Sequence, residues 1–257
     1  MAQAILEARG LGKRFGHFAA NAAIDFSVNP GELRAVIGPN GAGKTTFFNL
    51  LSGIALPSEG TIQYKGRDVT RTAGPQRVRL GIAKAFQTAN VYPEQTVEHN
   101  VRLAALARVQ GPFALAIFRS SKHLADVASI AARALERVDL GGVAHLRSGD
   151  LSHGDKKRLD IAIALATQPD ILLLDEPVAG MSIDESRRTA ALIKKLAAEM
   201  TVLIIEHDME MIMGISDSIT VLHQGRVLAD GTPAEIRGNA KVQEAYLGGH
   251  AETEIAG

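Results

Sequence analysis

The sequence predicts an α/β fold built on a parallel sheet with helices on both faces. Three observations carry that reading. Gly38-Pro39-Asn40-Gly41-Ala42-Gly43-Lys44-Thr45-Thr46 fits the phosphate-loop pattern G-x-x-x-x-G-K-[ST]. Short apolar runs at Leu33–Ile37, Ile171–Leu174 and Val202–Ile205 have the character of strands buried on both faces. Helical segments separate these runs, which makes the strands parallel. Ligands in such folds sit at the carboxyl ends of strands. The phosphate loop, Gln87, Asp175-Glu176 and His207 all fall at predicted strand ends, so one shared site is expected there.

The elements follow in order. Ala4–Ala8 and Ala22–Val28 read as strands, with Lys13-Arg14-Phe15-Gly16 between them and Asn29-Pro30-Gly31 as the closing turn. Leu33–Ile37 leads into the phosphate loop, and Thr46–Leu51 begins a helix. Thr61–Tyr64 and Gly81–Gln87 are further strands. From about Thr88 to Gly149 the character becomes helical. Thr96 is a fitting N-cap for a helix through Val101. Leu124, Val127, Ala131, Ala134, Leu135 and Val138 recur at spacings of three and four, one amphipathic face, and Gly141-Gly142 is expected to stop that helix. An apolar stretch, Phe113–Phe118, lies inside this block. From Leu151 the α/β alternation returns, with helices over Leu159–Ala166 and Ser186–Met200. His223-Gln224-Gly225 reads as a hairpin turn, and a short helical tail starts near Thr232.

Composition narrows the chemistry. The 257 residues carry 28 Lys plus Arg against 28 Asp plus Glu, so no global basic field gathers nucleic acid. Hydrophobic residues make up 46% and charged residues 22%, an ordinary globular balance. Cysteine is absent, which excludes disulfides and thiolate metal sites. No apolar leader and no run of about 18 apolar residues is seen, so a cytoplasmic protein is expected.

A strand that turns through glycines into a helix aims backbone N–H groups and the positive helix end at one point. A di- or triphosphate fits that nest. Lys44 is placed to reach its β- and γ-phosphates, and the Thr45 hydroxyl to ligate Mg²⁺. Asp175 ends an aliphatic strand, where a hard carboxylate oxygen serves Mg²⁺ directly or one layer removed. Glu176 is positioned to polarise a water for attack on the γ-phosphorus. A lone histidine is more often structural, but His207 follows an aliphatic strand and is expected to meet the γ-phosphate and that water. The Gln87 amide oxygen is a candidate for Mg²⁺ or the water.

These segments, in this order, resemble the ATP-binding cassette (ABC) ATPases over nearly the whole chain. Leu151-Ser152-His153-Gly154-Asp155 stands where that family carries its signature, most often LSGGQ. Leu151, Ser152 and Gly154 match; His153 and Asp155 depart, and the Asp155 charge needs Lys156, Lys157 or Arg158 beside it. The resemblance implies that Ser152 and Gly154 meet the γ-phosphate of an opposite subunit. Phe15 corresponds to the aromatic that stacks on adenine, Phe in place of the usual Tyr. Ser182 replaces the Asp usual in the D-loop. The implied architecture is a P-loop NTPase (RecA-like) core with a small antiparallel β subdomain and an inserted α-helical subdomain. The expected division is a core of residues 1–87 and 150–231, a helical subdomain of 88–149, and a tail of 232–257. Dimerisation on ATP, with Mg²⁺, follows from a site shared between two subunits.

Within the family the chain resembles the ATP-binding subunits of branched-chain (hydrophobic) amino acid importers. Phe86-Gln87-Thr88, Thr96–Val101, the Leu-Ser-His-Gly-Asp signature, Asp175–Ser182 and the ending Ala245-Tyr246-Leu247-Gly248 carry this likeness. It implies a second ABC ATPase, integral permease subunits, an indirectly coupled substrate-binding protein, and a place on the inner face of the cell membrane. Importers of urea, amides or aromatic acids carry similar subunits. A soluble ABC ATPase acting on DNA or ribosomes, and an ATP-responsive protein without turnover, are the other classes. Neither a second cassette nor a long coiled-coil insert is present, and Glu176 is retained, which weighs against both.

Overall fold

Strand β3 (Leu33–Ile37) is buried at all five positions, as its apolar run requires. The computed structural model describes residues 3–85, 91–110 and 121–251. The chain divides into two compact units, Met1–Arg77 with Ile193–Gly257 and Val78–Leu192.

The first unit holds an antiparallel sheet and a mixed one. The antiparallel sheet consists of β1 (Leu6–Phe15), β2 (Phe18–Val28), β4 (Glu59–Tyr64) and β5 (Arg67–Asp68), in the order β2-β1-β4-β5. In the mixed sheet, β3 runs parallel to β8 (Thr201–Ile205) on one side and to β9 (Ser218–His223) on the other. The antiparallel β10 (Arg226–Gly231) pairs with β9 beyond it. Helix α1 (Lys44–Ser52) follows β3, with Phe47, Phe48, Leu50 and Leu51 fully buried. The Phe47 ring meets Phe26 of β2 edge-on, centroids 5.1 Å apart, which seats the helix against that strand. Helices α2 (Gly74–Leu80), α7 (Met209–Ile215), α8 (Pro233–Arg237) and α9 (Ala240–Ala251) are shorter or later in the chain. Thr232 and Glu235 form a complete capping box at the start of α8.

The second unit pairs β6 (Ile82–Ala85) in parallel with β7 (Ile171–Asp175). Helices α3 (Val97–Gln110), α4 (Ser121–Arg137) and α5 (His153–Ala166) pack against one another. Helix α6 (Ile183–Ala197) follows β7. The Thr96 hydroxyl accepts from the His99 N–H at 3.1 Å, the N-cap its sequence position called for. Val127, Ala131, Ala134, Leu135 and Val138 are buried, one face as expected. Gln87, the Phe113–Phe118 stretch and the Leu124 side chain lie outside the described residues.

Three local expectations change. Strand β1 does not stop near Ala8 but runs to Phe15 and turns through Gly16 straight into β2, so Phe15 pairs with Phe18. Its far end is outward-facing and its register shifts after Ala8, so no alternation betrays it. Helix α4 is stopped by Asp139 in the left-handed conformation, not by Gly141-Gly142. The Leu140 N–H bonds to Leu135 O and the Asp139 N–H to Glu136 O, a Schellman close, and the glycines form a 3₁₀ turn beyond it. Helix α5 begins at His153, well before Leu159, because Ser152 caps it.

Candidate functional site

The phosphate loop lies in the first unit, held in place from two directions. Gly38 has φ +152° and Gly43 φ +93°, and neither has room for a side chain. A Cβ at Gly38 would come within 2.1 Å of Leu222 O, and one at Gly43 within 2.4 Å of Ala20 O. The loop is therefore glycine-bound by close backbone approach as well as by conformation. Asn21, fully buried on β2, donates to Gly43 O at 3.2 Å. The hairpin between β9 and β10 adds a bond from the Gly225 N–H to Ala42 O at 3.1 Å. Lys44 opens α1 and is buried, with Nζ donating to Gly38 O at 2.7 Å and Pro39 O at 3.0 Å. Asn40, Gly41 and Thr45 are exposed.

His207 also belongs to the first unit. It follows β8 directly and is exposed; its N–H donates to Glu206 Oε2 at 2.9 Å. Asp208, next in line, caps α7 by accepting from the Met211 N–H. Phe15 is 57% exposed at the tip of the β1–β2 hairpin, with Lys13 Nζ 5.2 Å from its ring centre. It is a presented aromatic face and not a core side chain.

In the second unit, β7 delivers Asp175 at its last position, 3% exposed. Asp175 Oδ2 pairs with Lys84 Nζ at 2.8 Å, while Oδ1 is buried without a hydrogen-bond partner. An orphaned buried carboxylate oxygen at a strand end suits a hard cation or its bound water. Glu176 follows at φ 50°, a left-handed conformation that a non-glycine residue adopts only under constraint. Its carbonyl accepts from Lys157 Nζ at 3.4 Å and from the Ala179 N–H at 3.3 Å.

Ser152 and Gly154 open α5 in the same unit. Ser152 is exposed and its hydroxyl accepts from the Asp155 N–H at 3.1 Å. Gly154 is buried against Glu185, whose Oε1 a Cβ would approach to 2.9 Å. The two departures in this segment are both partnered. Asp155 ion-pairs with Arg158, one of the three cations nearby in sequence. His153 Nε2 lies 3.2 Å from Ala179 O, which puts the ring proton on Nε2. Ser182 makes a capping box with Glu185 at the start of α6: the carboxylate accepts from the Ser182 N–H and hydroxyl at 3.0 and 2.7 Å. These contacts hold the Glu185 carboxyl below its usual range, the Ser182 hydroxyl first and its N–H second.

The supporting residues escaped the sequence reading. Asn21 and Lys84 sit on strands as isolated polar residues, and nothing in their spacing ties them to the loop or to Asp175. An isolated charge inside an apolar strand, as at Lys84, is the one usable signal.

Residues 22–179 match the family described as ABC transporter, and residues 226–252 match the branched-chain amino acid ATP-binding cassette transporter family. The chain belongs to the ABC transporter family, as an ATP-binding, ATP-hydrolysing cassette. Among its relatives is the high-affinity branched-chain amino acid transport ATP-binding protein BraF of Pseudomonas aeruginosa, 40% identical over 96% of this chain and 99% of that protein. LivG of Escherichia coli K12, described in the same words, is 40% identical with the same coverage. The chain thus stands with the branched-chain amino acid group of ABC ATP-binding proteins. A nucleotide-free ATP-binding cassette from an ABC transporter superposes with a TM-score of 0.83 at 28% identity, covering 95% of this chain and 99% of that one. The ADP conformation of such a cassette gives 0.83 at 28%, covering 96% and 100%.

Proposed function

We propose that this chain energises the import of branched-chain or other hydrophobic amino acids by binding and hydrolysing ATP. The observation that carries the cargo class is the match of its C-terminal residues 226–252 to the branched-chain group, beside 40% identity to BraF and LivG. Its partners on this reading are a second ABC ATPase, integral permease subunits and, indirectly, a substrate-binding protein. No helix among the described residues is long and apolar enough to cross a membrane, so attachment to the inner face of the cell membrane would run through the permease. The core of residues 1–87 and 150–231, the helical subdomain of 88–149 and the tail of 232–257 remain the proposed functional division.

The roles follow from chemistry. Backbone N–H groups of Gly38 to Thr46 cradle the phosphates at the start of α1. Lys44, already held among the loop carbonyls, turns its ammonium to the β- and γ-phosphates. Mg²⁺, when bound, neutralises charge on the phosphate oxygens. Thr45, Asp175 and Gln87 are the residues to hold it, and the unpaired Asp175 Oδ1 supports that assignment. Glu176 takes the proton of the attacking water, and His207 and Gln87 orient that water and the γ-phosphate. Phe15 offers its exposed face to adenine. Ser152 and Gly154 meet the γ-phosphate of the second subunit, whose approach is what closes the site.

Affinity capture of the tagged chain from detergent-solubilised native membranes tests the assignment. The expected result is co-purification of two permease subunits and a shorter cassette. Recovery of ribosomes, of nucleic acid or of no membrane subunit would remove the transport assignment and leave the ATPase.

A further inference from the structure

Within the second unit, a residue that departs from the family signature joins that segment to the loop following Glu176. His153 opens α5 beside the cap Ser152, and its Nε2 lies 3.2 Å from Ala179 O. The acceptor is a carbonyl, so the ring is the donor. The ring lies along Gly180, where a Cβ would stand 3.4 Å from Nε2, and Gly180 turns the chain there at φ +77°. Ala179 also donates its own N–H to Glu176 O at 3.3 Å. One residue is thus bonded to Glu176 on one side and to His153 on the other. Lys157, one turn along α5 from His153, donates to the same Glu176 O at 3.4 Å. Gly154 backs onto Glu185, which accepts from Ser182 at the start of α6. The first turns of α5 therefore hold the stretch from Glu176 to Glu185 at three places. The bond from His153 exists only because a side chain stands where the usual signature has glycine, which has no donor to offer.

We propose that His153 is a positioning residue that ties the signature segment to the backbone aiming Glu176. On the ATP-hydrolysing dimer reading, on which this rests, Ser152 and Gly154 serve the nucleotide of the second subunit, while Glu176 serves the chain's own. The His153–Ala179 bond therefore joins residues that work at two different nucleotides. A signature segment that moves onto the second subunit's γ-phosphate carries Ala179 with it, and through Ala179 the carbonyl of Glu176. Each nucleotide is then felt at the base that attacks the other.

The test compares ATP hydrolysis by the full-length wild type and two variants. His153→Phe keeps a ring and removes its nitrogens; His153→Gln puts an amide N–H at the reach of Nε2. The phosphate loop is intact in both, so KM for ATP stays within about twofold while kcat of His153→Phe falls about fivefold, the worth of one hydrogen bond. His153→Gln restores most of kcat. The Hill coefficient for ATP, above unity in the wild type, falls toward unity in His153→Phe. Imidazole nitrogen NMR of the nucleotide-free wild type shows the His153 proton on Nε2. Equal kcat in wild type and His153→Phe would overturn the proposal, and a lower melting temperature beside that equal kcat would mark a merely structural contact. An unchanged Hill coefficient beside a lowered kcat would remove the tie between nucleotides. Failure of His153→Gln to recover would deny the role to the donated proton. A wild type that turns over no ATP would sink the underlying reading and the proposal together, and it is recognisable because it needs no variant.

Discussion

Lys84 Nζ and Asp175 Oδ2 are 2.8 Å apart, and both side chains are almost wholly out of water, 6% and 2% exposed. They stand on neighbouring parallel strands, β6 and β7, each facing a place where aliphatic residues would otherwise pack. A buried pair like this adds little net stability over a hydrophobic pair, but breaking it is expensive. Lys84→Met leaves the Asp175 charge buried without a cation. The expected loss is about 3–5 kcal/mol in unfolding free energy. Urea denaturation followed by circular dichroism reads it directly, and a loss under 1 kcal/mol would mean that water reaches the pair. The same variant reports on function. With Lys84 gone, Asp175 is free to serve only a cation, so the stability gained on adding Mg²⁺ with ATP should exceed that of the wild type.

Glu176 sits one residue beyond that pair in a left-handed backbone conformation, φ 50°. Its place after β7 is over-determined by the Lys157 and Ala179 contacts to its carbonyl, so its side chain is changed without moving the backbone. Glu176→Gln removes the base and keeps the shape. Phosphate release should fall by about 10²- to 10⁴-fold, while ATP binding by equilibrium dialysis stays within a factor of a few. Gel filtration in ATP should show the variant held as a dimer. Equal turnover in the two proteins would strip Glu176 of its role.

Arg77 is fully buried and donates to five backbone carbonyls: Thr72, Leu50, Leu51, Val69 and Thr70, at 2.6 to 3.2 Å. Leu50 and Leu51 are in the last turn of α1, so this guanidinium closes the helix that the phosphate loop opens. Gly53 beside it has no room for a side chain: a Cβ would lie 2.9 Å from Arg77 Nε. Burial draws the guanidinium down to about 10, which still leaves it charged at neutral pH. Arg77→Met removes five bonds at once, although Leu50 O and Val69 O keep the Gly53 and Thr72 N–H groups, and should cost about 3 kcal/mol or more. Arg77→Lys should recover only part of this, because an ammonium cannot fork across five oxygens. Chemical denaturation of the two variants makes the comparison, and equal midpoints would show the carbonyls to be satisfied without the fork.

Much of this was legible in the sequence because the signals were local. The phosphate loop, β3, β7 and β8 each declare themselves by a run of consecutive residues. The N-cap Thr96 lies next to the helix it starts. What escaped was settled by partners far along the chain. Arg77 reads as an ordinary surface arginine until the carbonyls of Leu50 and Leu51, more than twenty residues earlier, are folded around it. Asn21 on β2 touches Gly43 of the phosphate loop, and no spacing rule ties the two. Helices α2 and α7 span two turns each, too short for a period to show. The stop of α4 at Asp139 went unseen because two glycines stood nearby, and a left-handed aspartate closed the helix before they were reached.

The Ser182 departure gains a meaning from Glu185. The pair forms a capping box at the start of α6, and the Glu185 carboxyl is held below its ordinary value of 4.5 by the Ser182 hydroxyl and then the Ser182 N–H. A carboxyl whose folded value is lowered contributes stability that is present above 4.5 and is lost as pH falls through the folded value. The start of α6 should therefore loosen on acidification below pH 4.5, and Glu185→Gln should remove that pH dependence. Ser182→Ala takes away the stronger of the two contacts, so the Glu185 carboxyl should move back toward 4.5. Carboxyl-carbon NMR titration of both proteins measures this. Ser182→Asp, which restores the residue usual in the family, brings a second carboxylate to the same N–H and should raise the Glu185 value further than Ser182→Ala does. If Ser182→Asp lowered it instead, the capping box would not be what keeps Glu185 ionised.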